Sequence, residues 1–258
     1  MSQAQSRPAV HRVSLLDLEP DLARDVAPDA QRALRRRTLV PTADLRPGPF
    51  VPHELDGISG TLAGFLVVRG LVVRDVLVAG GMTSDVLGPG DILSVGSSDD
   101  ELVPTRVRWT ACAASHVALI DDRVLELLEH TPPIAARLLL RAARQVSRLA
   151  VLRGISQLPR VEQRLLALFW LLAERWGRVT PDGVVVPMAL THETLGRMVG
   201  ARRPTVSLAL KDLARDGTVV RRPDGSWALD RAALERLRPV ESPFSPPDVA
   251  LVPVGGAD

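Results

Sequence analysis

The hydrophobic pattern changes texture several times along the chain. Near the start, Leu15, Leu16, Leu18 and Leu22 recur at helical spacing, and Ala30 to Leu39 has room for another helical turn or two. From about Val51 to Ile120 the pattern becomes short runs rich in β-branched residues. These are Phe65-Leu66-Val67-Val68, Leu71-Val72-Val73, Val76-Leu77-Val78 and Val117-Ala118-Leu119-Ile120. Gly70, Gly80-Gly81 and Gly88-Pro89-Gly90 separate them with turn residues. Many short strands broken by glycine predict an antiparallel barrel or jelly roll.

Residues 131–155 then read as one long helix. It opens with Thr131-Pro132-Pro133, a sound helix start, and contains no glycine until Gly154. Ile134, Leu138, Ala142, Gln145, Leu149 and Leu152 step by three or four residues and form one apolar stripe. A stripe of that length predicts packing against a second long helix, hence a homodimer; packing against the chain's own β domain is the alternative. Gly154 to Pro159 reads as a hinge. A strongly apolar helix follows from Val161 to Trp176, then a short strand at Val184–Val186, two short helices, and strands at Thr218–Val220 and Trp227–Leu229 joined by Pro223-Asp224-Gly225. Residues 239–258 hold five prolines and read as a disordered tail.

The helix pair carries the candidate chemistry. Thr191 is placed to cap the first helix, whose Leu195 and Met198 face inward. Gly196 permits a close approach, and Gly200 sits where the chain turns. The second helix, from about Arg202 to Arg215, places Val206, Leu210 and Leu213 on one face. Its other face presents Arg202, Arg203, Thr205, Ser207, Leu208 and Lys211. Arginine holds guanine O6 and N7 with two bonds, and lysine or hydroxyl groups hold phosphate. A strand before this pair and a two-stranded wing after it predict a winged helix-turn-helix that enters a major groove. The candidate DNA contacts are therefore Thr191, Arg202, Arg203, Thr205, Ser207 and Lys211.

Charge supports that placement. Net charge is only +2, but residues 156–238 hold 14 basic against 9 acidic side chains, whereas residues 1–155 are balanced at 18 of each. The one cysteine, Cys112, reads as a small buried hydrophobe; alone it supports neither a disulfide nor an iron–sulfur cluster. The five histidines show no metal-ligand spacing, and no phosphate loop or nucleophile motif is present, so the sequence points away from an enzyme. A cupin-like metal enzyme is the remote alternative, and a ligand-sensing adaptor with a degenerate helix-turn-helix is another. With neither a signal peptide pattern nor an apolar run long enough to span a bilayer, the expected location is the cytoplasm and no membrane partner is expected.

At these residues the chain resembles the cyclic AMP receptor and fumarate–nitrate reduction regulator (Crp/Fnr) superfamily of transcription regulators. The likeness spans roughly residues 12–238. FLVVRG at 65–70 and Leu87-Gly88-Pro89-Gly90-Asp91 resemble its sensor strands and turn, and Thr194 to Leu213 resembles its DNA-reading element. The resemblance implies an α+β chain with a double-stranded β-helix (jelly-roll, cyclic-nucleotide-binding-like) sensor at 1–130, a dimerisation helix at 131–155 and a winged helix-turn-helix at 156–238. It also implies double-stranded DNA, a second copy and RNA polymerase as partners, and leaves room for a small-molecule effector. Two departures matter. The family's recognition helix commonly begins Ser-Arg-Glu-Thr-Val, where this chain has Arg202-Arg203-Pro204-Thr205-Val206. The cyclic-nucleotide phosphate cassette also lacks a match: Arg106 and Arg108 are the nearest candidates, and neither precedes a Ser-Ala or Thr-Ala pair. The acids at 99, 100 and 101 add charge that repels a cyclic phosphate. The cofactor is therefore unknown, with a cyclic nucleotide, or haem through His53, His116 or Cys112, as the open alternatives.

Overall fold

The computed structural model describes residues 11–55, 57–95, 103–181 and 183–237. The proline-rich segment 239–258 and the acids at 99, 100 and 101 lie outside the described residues. The chain divides into two compact units, residues 1–145 and 146–258.

The first unit is α+β. It contains strands β1 (His11–Ser14), β2 (Leu39–Leu45), β3 (Gly48–Phe50), β4 (Leu62–Arg69), β5 (Val72–Val78), β6 (Gly81–Leu87), β7 (Ile92–Ser94), β8 (Thr105–Ala111) and β9 (Ser115–Asp121). Its helices are α1 (Leu15–Leu18), α2 (Pro28–Arg37), α3 (Asp122–Glu129) and the first part of α4 (Pro132–Ser156). Two antiparallel sheets form the roll, in the orders β1-β2-β9-β4-β7 and β3-β8-β5-β6. Sheet formation starts earlier than the apolar runs suggest, because β2 is interrupted by Pro41 and Asp44. Pro41 stands opposite Arg12 of β1, and pairing with the central β9 begins one residue later, at Thr42. A residue without an N–H is thereby kept out of the inner ladder.

The continuous run in β4 has a physical reason. Phe65 and Val67 point into the roll with Val72, Leu87, Trp109, Val117 and Leu119. Leu66 points the other way, into a second apolar layer with Leu15, Leu16, Leu22, Ala118, Ile120 and Val124. A strand buried on both faces loses the apolar–polar alternation of a half-exposed one. Phe50, Phe65 and Trp109 fill the interior with ring centroids 5.2–6.3 Å apart.

That second layer corrects the reading of the long helix. Ile134 and Leu138 of α4 belong to it, and Gln145 on the same side is also buried. The first half of the stripe that suggested an intermolecular seam therefore packs inside its own unit. Arg141 reinforces the attachment: its Nη2 donates to both carboxylate oxygens of Asp21 at 2.6 Å and meets Glu19 at 2.9 Å. Arg137 pairs with Asp25. The exposed apolar residues of α4 are on another side, at Leu139 (71% exposed), Leu140, Val146 (68%) and Val151. Gly154 lies within the helix rather than in a hinge, so the link to the next helix is shorter than residues 154–159.

The second unit contains α5 (Val161–Trp176), β10 (Arg178–Thr180), β11 (Gly183–Val186), α6 (His192–Val199), α7 (Arg203–Arg215), β12 (Val219–Arg221) and β13 (Trp227–Leu229). Its sheet order is β10-β11-β13-β12. Leu165, Leu168 and Phe169 of α5, Leu195 and Val199 of α6, and Val206, Ala209 and Leu210 of α7 are all buried. Trp227 is buried as well, its ring centroid 4.8 Å from that of Phe169. Among the described residues, no helix is long and apolar enough to cross a membrane.

Candidate nucleic-acid interface

The interface is built on two glycines. Gly200 ends α6 in the left-handed region at φ +66°, which an L side chain occupies only at a cost. The chain turns there, and the Ala201 N–H returns to the carbonyl of Gly196 at 2.8 Å. A Cβ on Gly196 would lie 2.5 Å from the Ala201 carbonyl oxygen. The close approach anticipated at Gly196 is thus made by the turn itself. Arg164 of α5 braces the same corner: Nη1 donates to the Val199 carbonyl at 3.2 Å and Nε to that of Leu158 at 2.6 Å. Such a contact joins residues 35 apart, so no local pattern reveals it.

Held by this corner, α7 starts at Arg203 with Arg202 in the cap position, and Pro204 falls in the first turn, where its missing N–H costs nothing. Arg202, Arg203, Thr205 and Lys211 are exposed, and neither the two arginines nor Lys211 is in an ion pair with a described residue. Leu208, 62% exposed, stands among them. Thr191 caps α6, its Oγ1 accepting the Thr194 N–H at 3.1 Å. Ser207 differs from the others: it is half-buried, donates to the Arg203 carbonyl at 3.0 Å, and lies 2.9 Å from Nδ1 of His192.

The wing adds two further cations, which the helix pattern does not point to. Arg221 and Arg222 are exposed where β12 runs into the turn, and the Arg221 guanidinium lies 5.6 Å from the Trp227 ring centroid. The turn is shaped by Asp224, which accepts from the Ser226 N–H at 2.9 Å and its hydroxyl at 2.6 Å. Those bonds to Ser226 hold its carboxyl below the ordinary value. An arginine pair directly before Pro-Asp-Gly was the available signal.

Residues 160–237 match the profile of the Crp-like helix-turn-helix domain family. Within the second unit, those residues are similar to a Crp-like helix-turn-helix domain. The chain is also 30% identical over 138 residues to a protein described as a CRP-like cAMP-activated global transcriptional regulator from Mycobacterium tuberculosis, a match covering 52% of this chain and 60% of that one. The chain thus spans about 60% of the curated relatives it matches. Among solved structures, FixK2 from Bradyrhizobium japonicum superposes with a TM-score of 0.59 at 17% identity, over 78% of this chain and 98% of that one. A CooA mutant from Carboxydothermus hydrogenoformans gives 0.57 at 19% identity, over 76% and 85%. The likeness therefore holds at two levels: residues 160–237 match a Crp-like domain in sequence, and most of the chain matches these solved structures in fold.

In the first unit, Arg106 and Arg108 do not face the roll interior. Arg108 and Arg106 stand opposite Asp75 and Leu77 in the β5–β8 ladder, alternating with Trp109, which points into the core. Arg108 is engaged there by Asp75, with Nε at 3.0 Å and Nη2 at 2.6 Å, and Ser84 donates to the other carboxylate oxygen at 2.5 Å. The arginine on the inner side is Arg74, paired with Asp85 at 3.5 Å. Cys112 is exposed rather than buried, because it follows the last residue of β8 at the sheet's end; partial burial of its thiol and the nearby Asp75 push its pKa up. Nδ1 of His116 is bonded to Asp44 at 2.8 Å. Among the described residues no three His, Cys, Asp or Glu side chains converge as metal ligands.

Proposed function

We propose that the chain is a dimeric transcription regulator of the Crp/Fnr type that reads duplex DNA with α7 in the major groove. The observation that carries this reading is the exposed cationic ridge of Arg202, Arg203, Thr205 and Lys211, held out by the Gly196–Gly200 corner beside Arg221 and Arg222 of the wing. Arg203 serves as the base-reading arginine, Arg202, Thr205 and Lys211 hold phosphate, and the exposed Leu208 suits a thymine methyl. RNA polymerase is the onward partner, the cytoplasm the location, and the chain acts without catalysing a reaction. Residues 1–130 act as the sensor, 131–155 pair the two copies and 156–238 bind DNA. The sensor effector is not a cyclic nucleotide held by the usual cassette, since Arg108 is committed to Asp75 and the interior is filled by Phe50, Phe65 and Trp109.

The exposed stripe of α4 supports pairing with a second copy. Leu139, Ala143, Val146 and Ala150 are exposed and spaced four, three and four residues apart, the repeat of a two-helix seam.

Selection of duplexes from a random pool, followed by affinity measurement against salt, tests the function. Binding to a two-fold symmetric site should weaken steeply as salt rises, because phosphate contact releases counterions. Arg203→Ala should cost about 1–3 kcal/mol of discrimination at one base position in each half-site. Affinity indifferent to salt would refute DNA binding, and equal discrimination by wild type and variant would refute the role of Arg203.

A further inference from the structure

We propose that His192 is a proton-linked phosphate contact: as α7 docks, its ring takes a proton from solvent at Nε2 and donates that hydrogen to a backbone phosphate of the duplex. This rests on the reading of α7 as a DNA-reading helix and adds a residue and a proton to it.

Ser207 fixes which nitrogen of the His192 ring carries the hydrogen. The hydroxyl has one proton, and the Arg203 carbonyl, which only accepts, receives it at 3.0 Å. Nδ1 of His192 lies 2.9 Å from the same hydroxyl oxygen, so Nδ1 carries the ring hydrogen and the hydroxyl accepts it. Two consequences follow. Ser207 has no proton left for a phosphate, which removes it from the donors expected on this helix. The neutral ring, with its hydrogen on Nδ1, has only a lone pair at Nε2, which repels a phosphate oxygen; the protonated ring donates there.

The surroundings couple that proton to the duplex. The charged groups acting on the ring are both cations, Arg221 from β12 and Arg203 from α7. β13 contributes the neutral Trp227, its ring centroid 6.3 Å away, and on α6 itself Glu193 is paired with Arg197. In the free protein, burial first, then Arg221, then Arg203, hold His192 below the ordinary histidine value of 6.5. A phosphate arriving among these cations offsets their repulsion and favours the charged ring, so the value is higher in the complex than in the free protein. Binding then takes up protons. Affinity rises as pH falls through the interval between the two values, whose lower end lies below 6.5, and levels off well above that interval.

The test is the affinity for the duplex the protein selects from a random pool, read by fluorescence anisotropy at constant ionic strength from about pH 5.5 to about pH 8. Wild type should gain affinity on acidification, by up to about tenfold per pH unit for each protomer. His192→Gln, whose amide nitrogen occupies nearly the place of Nε2 and does not titrate, should remove that part of the slope. Nuclear magnetic resonance of the His192 ring in wild type should show its titration moving to higher pH when the duplex is added. Equal slopes in the two proteins, or an unshifted His192 titration, overturns the proton link alone while salt-dependent binding persists. A protein that retains no duplex at any salt or pH overturns the DNA-binding reading together with it.

Discussion

Replacing Leu139 and Val146 together with glutamate is expected to leave the protein monomeric in solution and to weaken binding of a two-fold symmetric site by roughly 10²–10⁴-fold. Both side chains are mostly exposed on α4, seven residues apart, so a second copy packed along this stripe would meet four new carboxylates in an apolar seam. The loss in DNA affinity follows because two linked recognition helices bind far more tightly than one. The exposed stripe also separates two readings of the helix that the apolar spacing alone left entangled. Leu138, on the buried side, packs with Leu22, Ile120 and Ile134, and Leu138→Ala should cost about 2–5 kcal/mol in the stability of the first unit. Sedimentation equilibrium of the glutamate variant measures the first effect. A variant that remains dimeric at micromolar concentration would remove α4 as the seam.

Gly196→Ala is expected to destabilise the second unit by about 3 kcal/mol, the cost of forcing a methyl group into a packed contact. The added carbon would lie 2.5 Å from the Ala201 carbonyl oxygen, a backbone atom fixed by the turn between α6 and α7, and 3.4 Å from a Val206 methyl. The structure must open the corner that presents Arg203. DNA affinity should therefore fall even where the fold survives. Thermal unfolding followed by tryptophan fluorescence reports this unit well, since Trp170, Trp176 and Trp227 lie in it; the midpoint should drop by roughly 10–20 °C. The control is Gly154→Ala. Gly154 is helical, and its added Cβ meets nothing within 4 Å, so helix propensity alone acts and the change should stabilise by about 0.5–1 kcal/mol. Equal effects of the two substitutions would show that the close approach at Gly196 carries no energy.

Much of the exposed face of α7 is legible from local patterns. Gly200, Val206, Leu210 and Leu213 announce a turn and a buried helix face within a single window of residues, and the side chains opposite that face are exposed by geometry alone. The contact between Ser207 and His192 has no local signal, because the two residues lie fifteen positions apart on different helices. Arg164 was invisible for the same reason, its partner carbonyl lying in a helix end 35 residues on.

By itself, the sequence determined the roll of short strands, the long helix after it, the helix pair with its flanking strands and the outward side chains of α7, because helix period, turn glycines and charge are properties of neighbouring residues. Only the tertiary structure decided which side of α4 is exposed, that Arg108 is spent on Asp75, and that Cys112 lies at the surface. Each of these depends on a partner brought near by sheet pairing or helix packing. A stripe of leucines looks the same in sequence whether its own domain or a second chain will cover it.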